Sequence, residues 1–334
     1  MTIAQEDTKT GRHFRKFGNT DMLLSPLGLG CWQFSGGKGM VGGFWGSVDP
    51  IAVQEIVDIC LKGGINWFDT AEFYGGGESE KALSTALNGA GPRAEGSHIA
   101  TKWWPLMRGA GSIGATIGKR LECLNGRRID LYQVHQPFSL SPVASEMRAM
   151  AKLAEAGKIR HIGVSNFSAK QMREADWTLR QLGLRLASNQ VRYSMLDRRI
   201  EYNGILETAK DLGIAIVAYS PLEQGILTGK FHQNPELIKK VSVMRRRMSG
   251  LNAGSLDKSR PLISKLSELA KKYDATAARI ALNWTVNVQG ETIFAIPGAS
   301  KSSQAEENVK AMTFRLTEGE LAELSDIAGR IART

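Results

Sequence analysis

From Leu27 onward, apolar runs of strand length alternate with longer stretches in which apolar residues recur every three to four positions, the two periods that distinguish strands from amphipathic helices. The strand-like runs fall at Leu27–Gly30, Trp67–Asp69, Ile99–Thr101, Leu131–His135, Ile162–Ser165, Ala187–Gln190, Ala215–Tyr219 and Ile293–Ala295. Helical patterns lie between them at Pro50–Lys62, Ser79–Leu87, Ser112–Leu124, Pro142–Glu155, Ala169–Leu182 and Asn203–Leu212. Asp49-Pro50 and Ser141-Pro142 pair a capping residue with a first-turn proline, and Gly63, Gly157, Gly183 and Gly213 suit left-handed helix ends. Before the first strand, Phe14–Phe17 and Met22–Leu24 flank Gly18-Asn19-Thr20-Asp21, whose residues tolerate positive φ; this predicts a hairpin that closes one end of the repeating units.

The repeating βα unit leaves two architectures, a closed (β/α)8 barrel or a doubly wound open sheet. The first strand runs into Gly28-Leu29-Gly30-Cys31-Trp32-Gln33, which lacks the third glycine and the helix of a dinucleotide fingerprint, so the pattern predicts an α/β TIM barrel. The long gap between the runs at Ala215 and Ile293 holds a loop and helical patterns at Pro261–Lys272 and Thr276–Val288. Ser302–Ala311 reads as the eighth crossover helix and Thr317–Arg333 as one more, so two helices exceed the eightfold count. Residues 1–13 are polar and read as a flexible tail, and 14–334 as a single barrel domain.

Composition narrows this reading in three places. With 42% hydrophobic and 23% charged residues the chain is of ordinary globular type, and no apolar run approaches the roughly 20 residues of a membrane span. Cys31, Cys60 and Cys123 stand far apart without a Cys/His cluster, so neither disulfides nor a metal site is expected; with no apolar leader at the N-terminus, the reading is a cytoplasmic protein. The net charge of +10 fits nucleic acid, an anionic surface or an anionic ligand. Lys239-Lys240 to Arg245-Arg246-Arg247 has no interleaved aromatics, which argues against nucleic acid as partner.

Candidate chemistry gathers at the predicted strand ends. Asp69 ends one run and Tyr74 comes soon after it, while Lys102, His135 and Ser165-Asn166 close three others. Parallel barrel strands deliver such residues to one mouth. Taken singly, Lys102 suits a rim ion pair and His135 a bonded core histidine; together they suit proton donation. Asp69 holds Lys102, the ammonium lowers the Tyr74 phenol toward working pH, and His135 orients a substrate oxygen.

The segments Phe68-Asp69-Thr70-Ala71-Glu72-Phe73-Tyr74-Gly75, Thr101-Lys102, Gln133-Val134-His135-Gln136-Pro137 and Gly157-Lys158-Ile159-Arg160-His161-Ile162-Gly163-Val164-Ser165-Asn166-Phe167 resemble the signatures of the aldo-keto reductase superfamily, over about Arg15 to Met312. The resemblance implies NADPH-dependent reduction of aldehydes or ketones, with Asp69, Tyr74, Lys102 and His135 as the catalytic tetrad. It implies that Cys31 and Trp32 border the cofactor, that Ser165, Asn166 and Gln190 bond its carboxamide beside Asp69, and that Tyr219 stacks on the nicotinamide. Ser220, Pro221, Leu222, Gln224, Gly225, Leu227 and Lys230 then belong to a segment that straps the pyrophosphate. Gly298, Ala299, Ser300, Gln304, Glu307 and Asn308 belong to the adenosine end.

Gln304 stands where many relatives carry an arginine, and Gly298 or Ser300 where they carry a lysine, so NADP(H) is expected with NAD(H) as the alternative, and Lys239, Lys240 and Arg245 are candidate phosphate partners. This form resembles the branch with potassium-channel beta subunits and many bacterial reductases. The second functional reading is therefore a cofactor-binding redox sensor acting through a protein partner, against which the retained His135 argues. Substrate specificity is expected from Phe34–Ser47, Trp103–Ser112 and the loop before Pro261, with Trp32, Trp45, Trp103 and Trp104 as pocket candidates for a small-molecule carbonyl substrate. Substrate identity and oligomeric state are not written in the sequence.

Overall fold

The computed structural model describes residues 5–7, 12–37, 46–241, 246–247 and 250–332. Three short strands come first, β1 (Gln5–Asp7), β2 (Arg12–Lys16) and β3 (Leu23–Leu24). The barrel strands are β4 (Leu29–Gly30), β5 (Trp67–Asp69), β6 (His98–Trp103), β7 (Ile129–Val134), β8 (Ile159–Ser165), β9 (Leu186–Arg192), β10 (Ala215–Tyr219) and β11 (Ile293–Ala295). All neighbours pair in parallel in chain order. The sheet closes on itself where the Gly28 N–H donates to the Ala295 carbonyl at 2.9 Å and the Gly30 N–H to that of Pro297 at 3.1 Å. Closure leaves no edge strand to protect.

Helices α1 (Pro50–Lys62), α2 (Glu78–Gly89), α3 (Gly111–Cys123), α4 (Val143–Glu155), α5 (Ala169–Arg180) and α6 (Ile205–Leu212) come after successive strands. After a single helical turn at Lys230–Gln233 come α7 (Ala253–Lys272), α8 (Ala277–Asn287), α9 (Ser302–Lys310) and α10 (Glu318–Ala332), so beyond that turn two helices among the described residues exceed the eightfold plan, as expected. The start of α1 is built as the sequence suggests: Asp49 accepts from the Ile51 N–H at 2.8 Å with Pro50 at the first helical position.

Two boundaries differ from expectation. Gln5–Asp7, inside the segment read as a tail, pairs antiparallel with Arg12–Phe14; backbone hydrogen bonding adds a strand that its polar composition does not announce. The helix expected to begin at Pro261 begins at Ala253, because Asn252 and Ser255 form a reciprocal cap upstream. Pro261 is exposed, so the hydrogen bond it cannot donate is lost on the wet side of the helix.

Phe17, Met22 and Leu24 of the hairpin plug the barrel floor against Trp67, Leu131 and Phe294, with Phe17 and Phe294 ring centroids 5.0 Å apart. Gly18 sits at φ +57, and a Cβ there would lie 2.8 Å from the Ala187 carbonyl oxygen and the Ala215 nitrogen, so the plug seats only with glycine at its turn. The opposite faces of the strands pack under the helices through Phe68, Ile99, Val134, Ile162 and Val164. No helix among the described residues is long and apolar enough to cross a membrane.

Glu146 on α4 is 2% exposed, and burial lifts its carboxyl to about 7 against the opposing pull of Ser139. The folded chain therefore keeps a proton that the unfolded chain releases near 4.5, so this group's contribution to stability is lost as pH rises from about 4.5 through about 7. Glu146→Gln is expected to raise stability at pH 8 by up to ~3 kcal/mol, and to change it little at pH 4.5. Thermal melts of both proteins at the two pH values check this, and an equal shift at both contradicts it.

Candidate active site

At the carboxyl ends of the strands one carboxylate ties four of them together. Lys102 on β6 is wholly buried; its Nζ pairs with Asp69 Oδ1 at the end of β5 and donates to the Thr70 carbonyl at 2.8 Å. Asp69 Oδ2 accepts from Gln190 Nε2 on β9 at 2.8 Å and from Gln133 Nε2 on β7 at 3.2 Å. A charge pair removed from water needs this saturation, since each ion alone loses several kcal/mol of hydration.

Above the pair stands Tyr74. After β5 the chain turns sharply, with the Tyr74 N–H donating to the Ala71 carbonyl at 3.0 Å and the Ser79 N–H to the Tyr74 carbonyl at 3.2 Å. Gly75 comes next at φ +69, where a Cβ would meet the Ser35 carbonyl oxygen at 2.3 Å; only glycine lets the turn press against the first loop. The Tyr74 ring stacks on Trp32 at 6.0 Å and 20°, and Lys102 Nζ lies 5.1 Å from its centroid.

The expected lowering of the Tyr74 phenol does not occur. Burial first, then the Asp69 charge, raise it well above its ordinary value. Asp69 neutralises the very cation that was to stabilise phenolate, and burial also lowers the Lys102 ammonium. Tyr74 is held as a neutral phenol.

His135 stands just past β7, its N–H donating to the Trp103 carbonyl at 3.0 Å. Its ring meets Tyr74, Trp104 and Phe73 edge to face, at 5.7, 5.1 and 6.3 Å. Burial, assisted by the Lys102 charge, pushes the imidazole well below its usual range, so it is neutral. Its Nδ1 is buried without a hydrogen-bond partner among the described residues.

Asp69, Tyr74 and His135 face a cavity of about 460 Å³, while Lys102 and Gln133 are buried behind its lining. Cys31 and Trp32 beyond β4, Asp69, Tyr74, Trp104 and His135 line it, as do Ser165 and Asn166 closing β8, Gln190 in β9 and Tyr219 closing β10. Ser220, Pro221, Leu222, Gln224, Gly225 and Lys230 continue one wall, and Gly298, Ser300 and Gln304 the far end. The Tyr219 hydroxyl donates to Asn166 Oδ1 at 3.1 Å, and Ser300 N–H to Gln304 Oε1 at 2.8 Å. Ser220, Glu223 and Gln224 all have positive φ, an unusual run for residues other than glycine.

Other sequence candidates lie elsewhere. Leu227, Ala299 and Asn308 are buried outside the lining, and Glu307 is held by Arg279 and Thr276. Trp103 is wholly buried, donating to Ser112 Oγ at 3.1 Å, and does not reach the cavity: it points to the helix side of β6. Lys239 pairs with Glu236 at the surface and Lys240 is exposed, both away from the cavity. Trp45 and Arg245 lie outside the described residues.

Sequence reasoning missed Gln33, Gln136 and Arg192, which also line the cavity. Arg192 was readable by period two, since Ser188, Gln190 and Arg192 share one strand face. Its guanidinium is clamped by Glu223, at 3.1 Å from Nε. No cluster of three or more His, Cys, Asp or Glu among the described residues is placed to hold a metal.

A family model described as aldo/keto reductase matches residues 26–328. Aldo-keto reductase str7 of Strobilurus tenacellus is 31% identical, the match covering 94% of this chain and 91% of that protein. An uncharacterized oxidoreductase of Mycobacterium tuberculosis is 33% identical over 91% and 90%. Among solved structures, the glycerol dehydrogenase of Gluconobacter oxydans superposes with a TM-score of 0.80 at 27% identity, covering 96% of each chain.

Breaking the buried pair on one side leaves the other ion stranded. Asp69→Asn and Lys102→Met are each expected to destabilise the fold by about 3–5 kcal/mol, and the double variant by clearly less than their sum. Urea midpoints of the four proteins measure this coupling; additive losses would show that the two side chains do not depend on each other.

Proposed function

Because this chain belongs to the aldo/keto reductase family, we propose that it reduces an aldehyde or ketone to the alcohol with NADP(H), Tyr74 giving the proton to the carbonyl oxygen. The observation that carries this reading is the meeting of a neutral phenol and a neutral imidazole at one cavity wall, above a sealed Lys102–Asp69 pair. Bound NADPH supplies the hydride that the carbonyl carbon accepts. The protein's part is then to hold the carbonyl oxygen between Tyr74 and His135, and to pass it the Tyr74 proton as negative charge develops on it. A phenol pushed upward by burial keeps its proton until that stronger base appears beside it. Lys102, 5.1 Å from the ring, then offsets the phenolate charge.

The cavity residues suit the cofactor. Ser165, Asn166 and Gln190 offer amide and hydroxyl groups for a carboxamide, and Tyr219 a ring for the nicotinamide to stack on. Lys230 and Arg192 bring cations to the wall where a pyrophosphate would lie. Residues 14–334 act as one barrel in this reading. The free, buried thiols of Cys31, Cys60 and Cys123 are consistent with a cytoplasmic setting.

Tyr74→Phe is expected to lower turnover by about 10²- to 10⁴-fold while NADPH binding persists. NADPH oxidation followed at 340 nm against aldehydes and ketones, with cofactor affinity by fluorescence titration, tests both halves. Activity within a few-fold of the unmodified protein removes Tyr74 from the role.

NADPH is expected to bind about 10-fold more tightly than NADH, the Ser300 hydroxyl at the far end of the cavity donating to the extra phosphate, since one hydrogen bond to a charged group contributes about 1.5–3 kcal/mol. Equal dissociation constants would make Gln304 the mark of a site indifferent to that phosphate.

A further inference from the structure

A second cavity, of about 640 Å³, opens at the other end of the barrel from Tyr74 and His135. Its lining comes from β2 and from the carboxyl-terminal ends of α1, α8 and α9, the face that in such barrels carries no catalytic groups. Among the described lining residues, the cations Arg15, Lys62 and Arg315 outnumber the single carboxylate, Glu291. Val309, Met312 and Phe314 give the same cavity an apolar patch.

Arg15 is 7% exposed, and burial lowers its guanidinium to about 10 against the pull of Glu291. Nη2 donates to Asn287 Oδ1 at 2.6 Å and Nη1 to the Val286 carbonyl, so the arginine closes the end of α8. That role does not use up its charge. Both acceptors are neutral, a guanidinium carries more donors than they take, and no carboxylate among the described residues pairs with it. A buried cation held by neutral partners alone keeps much of its desolvation cost.

Arg315, exposed just beyond α9, makes no side-chain hydrogen bond or ion pair among the described residues, and its charge acts on Arg15 so as to disfavour the charged form. Helix capping does not call for it. The Ala311 and Met312 N–H groups donate to the Glu307 and Val309 carbonyls at 3.0 and 3.1 Å, and Asn283 Nδ2 donates to the Ala311 carbonyl at 3.0 Å, so the last turn of α9 closes without Arg315. Two guanidiniums that repel each other beside one cavity are both relieved by an anion between them. Glu291 in the same lining opposes a second negative charge, which selects a monoanion.

We propose that this cavity is a second binding site, for a small organic monoanion: a carboxylate held between Arg15 and Arg315, with its apolar body against Val309, Met312 and Phe314. A carboxylate matches the planar fork of a guanidinium through parallel hydrogen bonds, and its tail takes apolar wall out of water. The site is independent of the reductase reading, since no residue lining this cavity lines the other.

The test follows the methionine methyl resonances of the full-length protein, with NADPH present, as hexanoate, hexanamide or hexylamine is added. Met312 lines this cavity and no methionine is among the described residues lining the active-site cavity, so its methyl signal, assigned with Met312→Leu, reports on this site. Hexanoate is expected to shift that signal saturably, with a dissociation constant of about 1 mM or below, while the amide and the amine leave it in place. Arg315→Ala, at an exposed position, should weaken hexanoate about 10-fold with an unchanged melting temperature. Arg15→Gln should abolish binding but also loosens the end of α8, so Arg315→Ala is the variant that decides. An unmoved Met312 signal, an equal response to hexanamide, or an unchanged affinity in Arg315→Ala overturns the proposal. None of these outcomes is read through turnover, so each leaves the reductase reading as it stands.

Discussion

A lysine with no exposed surface at the centre of a protein is an energetic liability, and the upper half of this barrel is arranged around making it tolerable. Asp69 supplies the opposite charge, the Thr70 carbonyl a second acceptor, and Gln133 and Gln190 occupy the remaining carboxylate oxygen. Because those residues come from β5, β6, β7 and β9, satisfying the pair fixes the relative heights of four strands. The same bonds that hold the ions hold the mouth in register.

What rests on that platform is divided by polarity. On one side Ser165, Asn166, Arg192, Tyr219 and the loop beyond it present hydroxyls, amides and two cations; on the other, Phe73 and Trp104 present rings. Tyr74 and His135 stand where the two meet. Each wall is built from loops after different strands, so their chemistry can vary independently of the ions below.

The barrel was legible because its signals are local and periodic: strands end in reactive groups, helices open on capping residues, and the βα spacing recurs. Even the two extra helices emerge from counting patterns past Ala215. What sequence hid depends on choices between faces and partners. Trp103 and Trp104 are adjacent in sequence but point to opposite sides of the sheet, so a reading that grouped them as pocket residues was right about one alone. Lys239 looked available for a phosphate because its partner Glu236 lies three residues upstream on the same turn, a local pair that neutralises it at the surface. Arg192 went unnoticed because no motif calls for it, and only its clamp by Glu223 at the cavity edge shows what it does there.

The acidity of Tyr74 teaches the same lesson about charge. A lysine beside a phenol suggests a lowered pKa when the two are taken alone, but burial raises the phenol first, the Asp69 charge raises it further, and burial also lowers the lysine that was to stabilise phenolate. The result is a tyrosine kept protonated rather than poised to ionise. For an acid whose partner is an alkoxide-like oxygen this is the better arrangement, because that oxygen is a far stronger base than phenolate and needs no help in drawing the proton away. In the proposed reaction the lysine matters after transfer, when phenolate and carboxylate would share one buried cation and the site would bear a net negative charge that the Lys102 ammonium and the surrounding donors offset. Reprotonating that phenolate would then restore the ground state, and on the proposed mechanism this ties the pH dependence of turnover to the whole buried cluster and not to the tyrosine by itself.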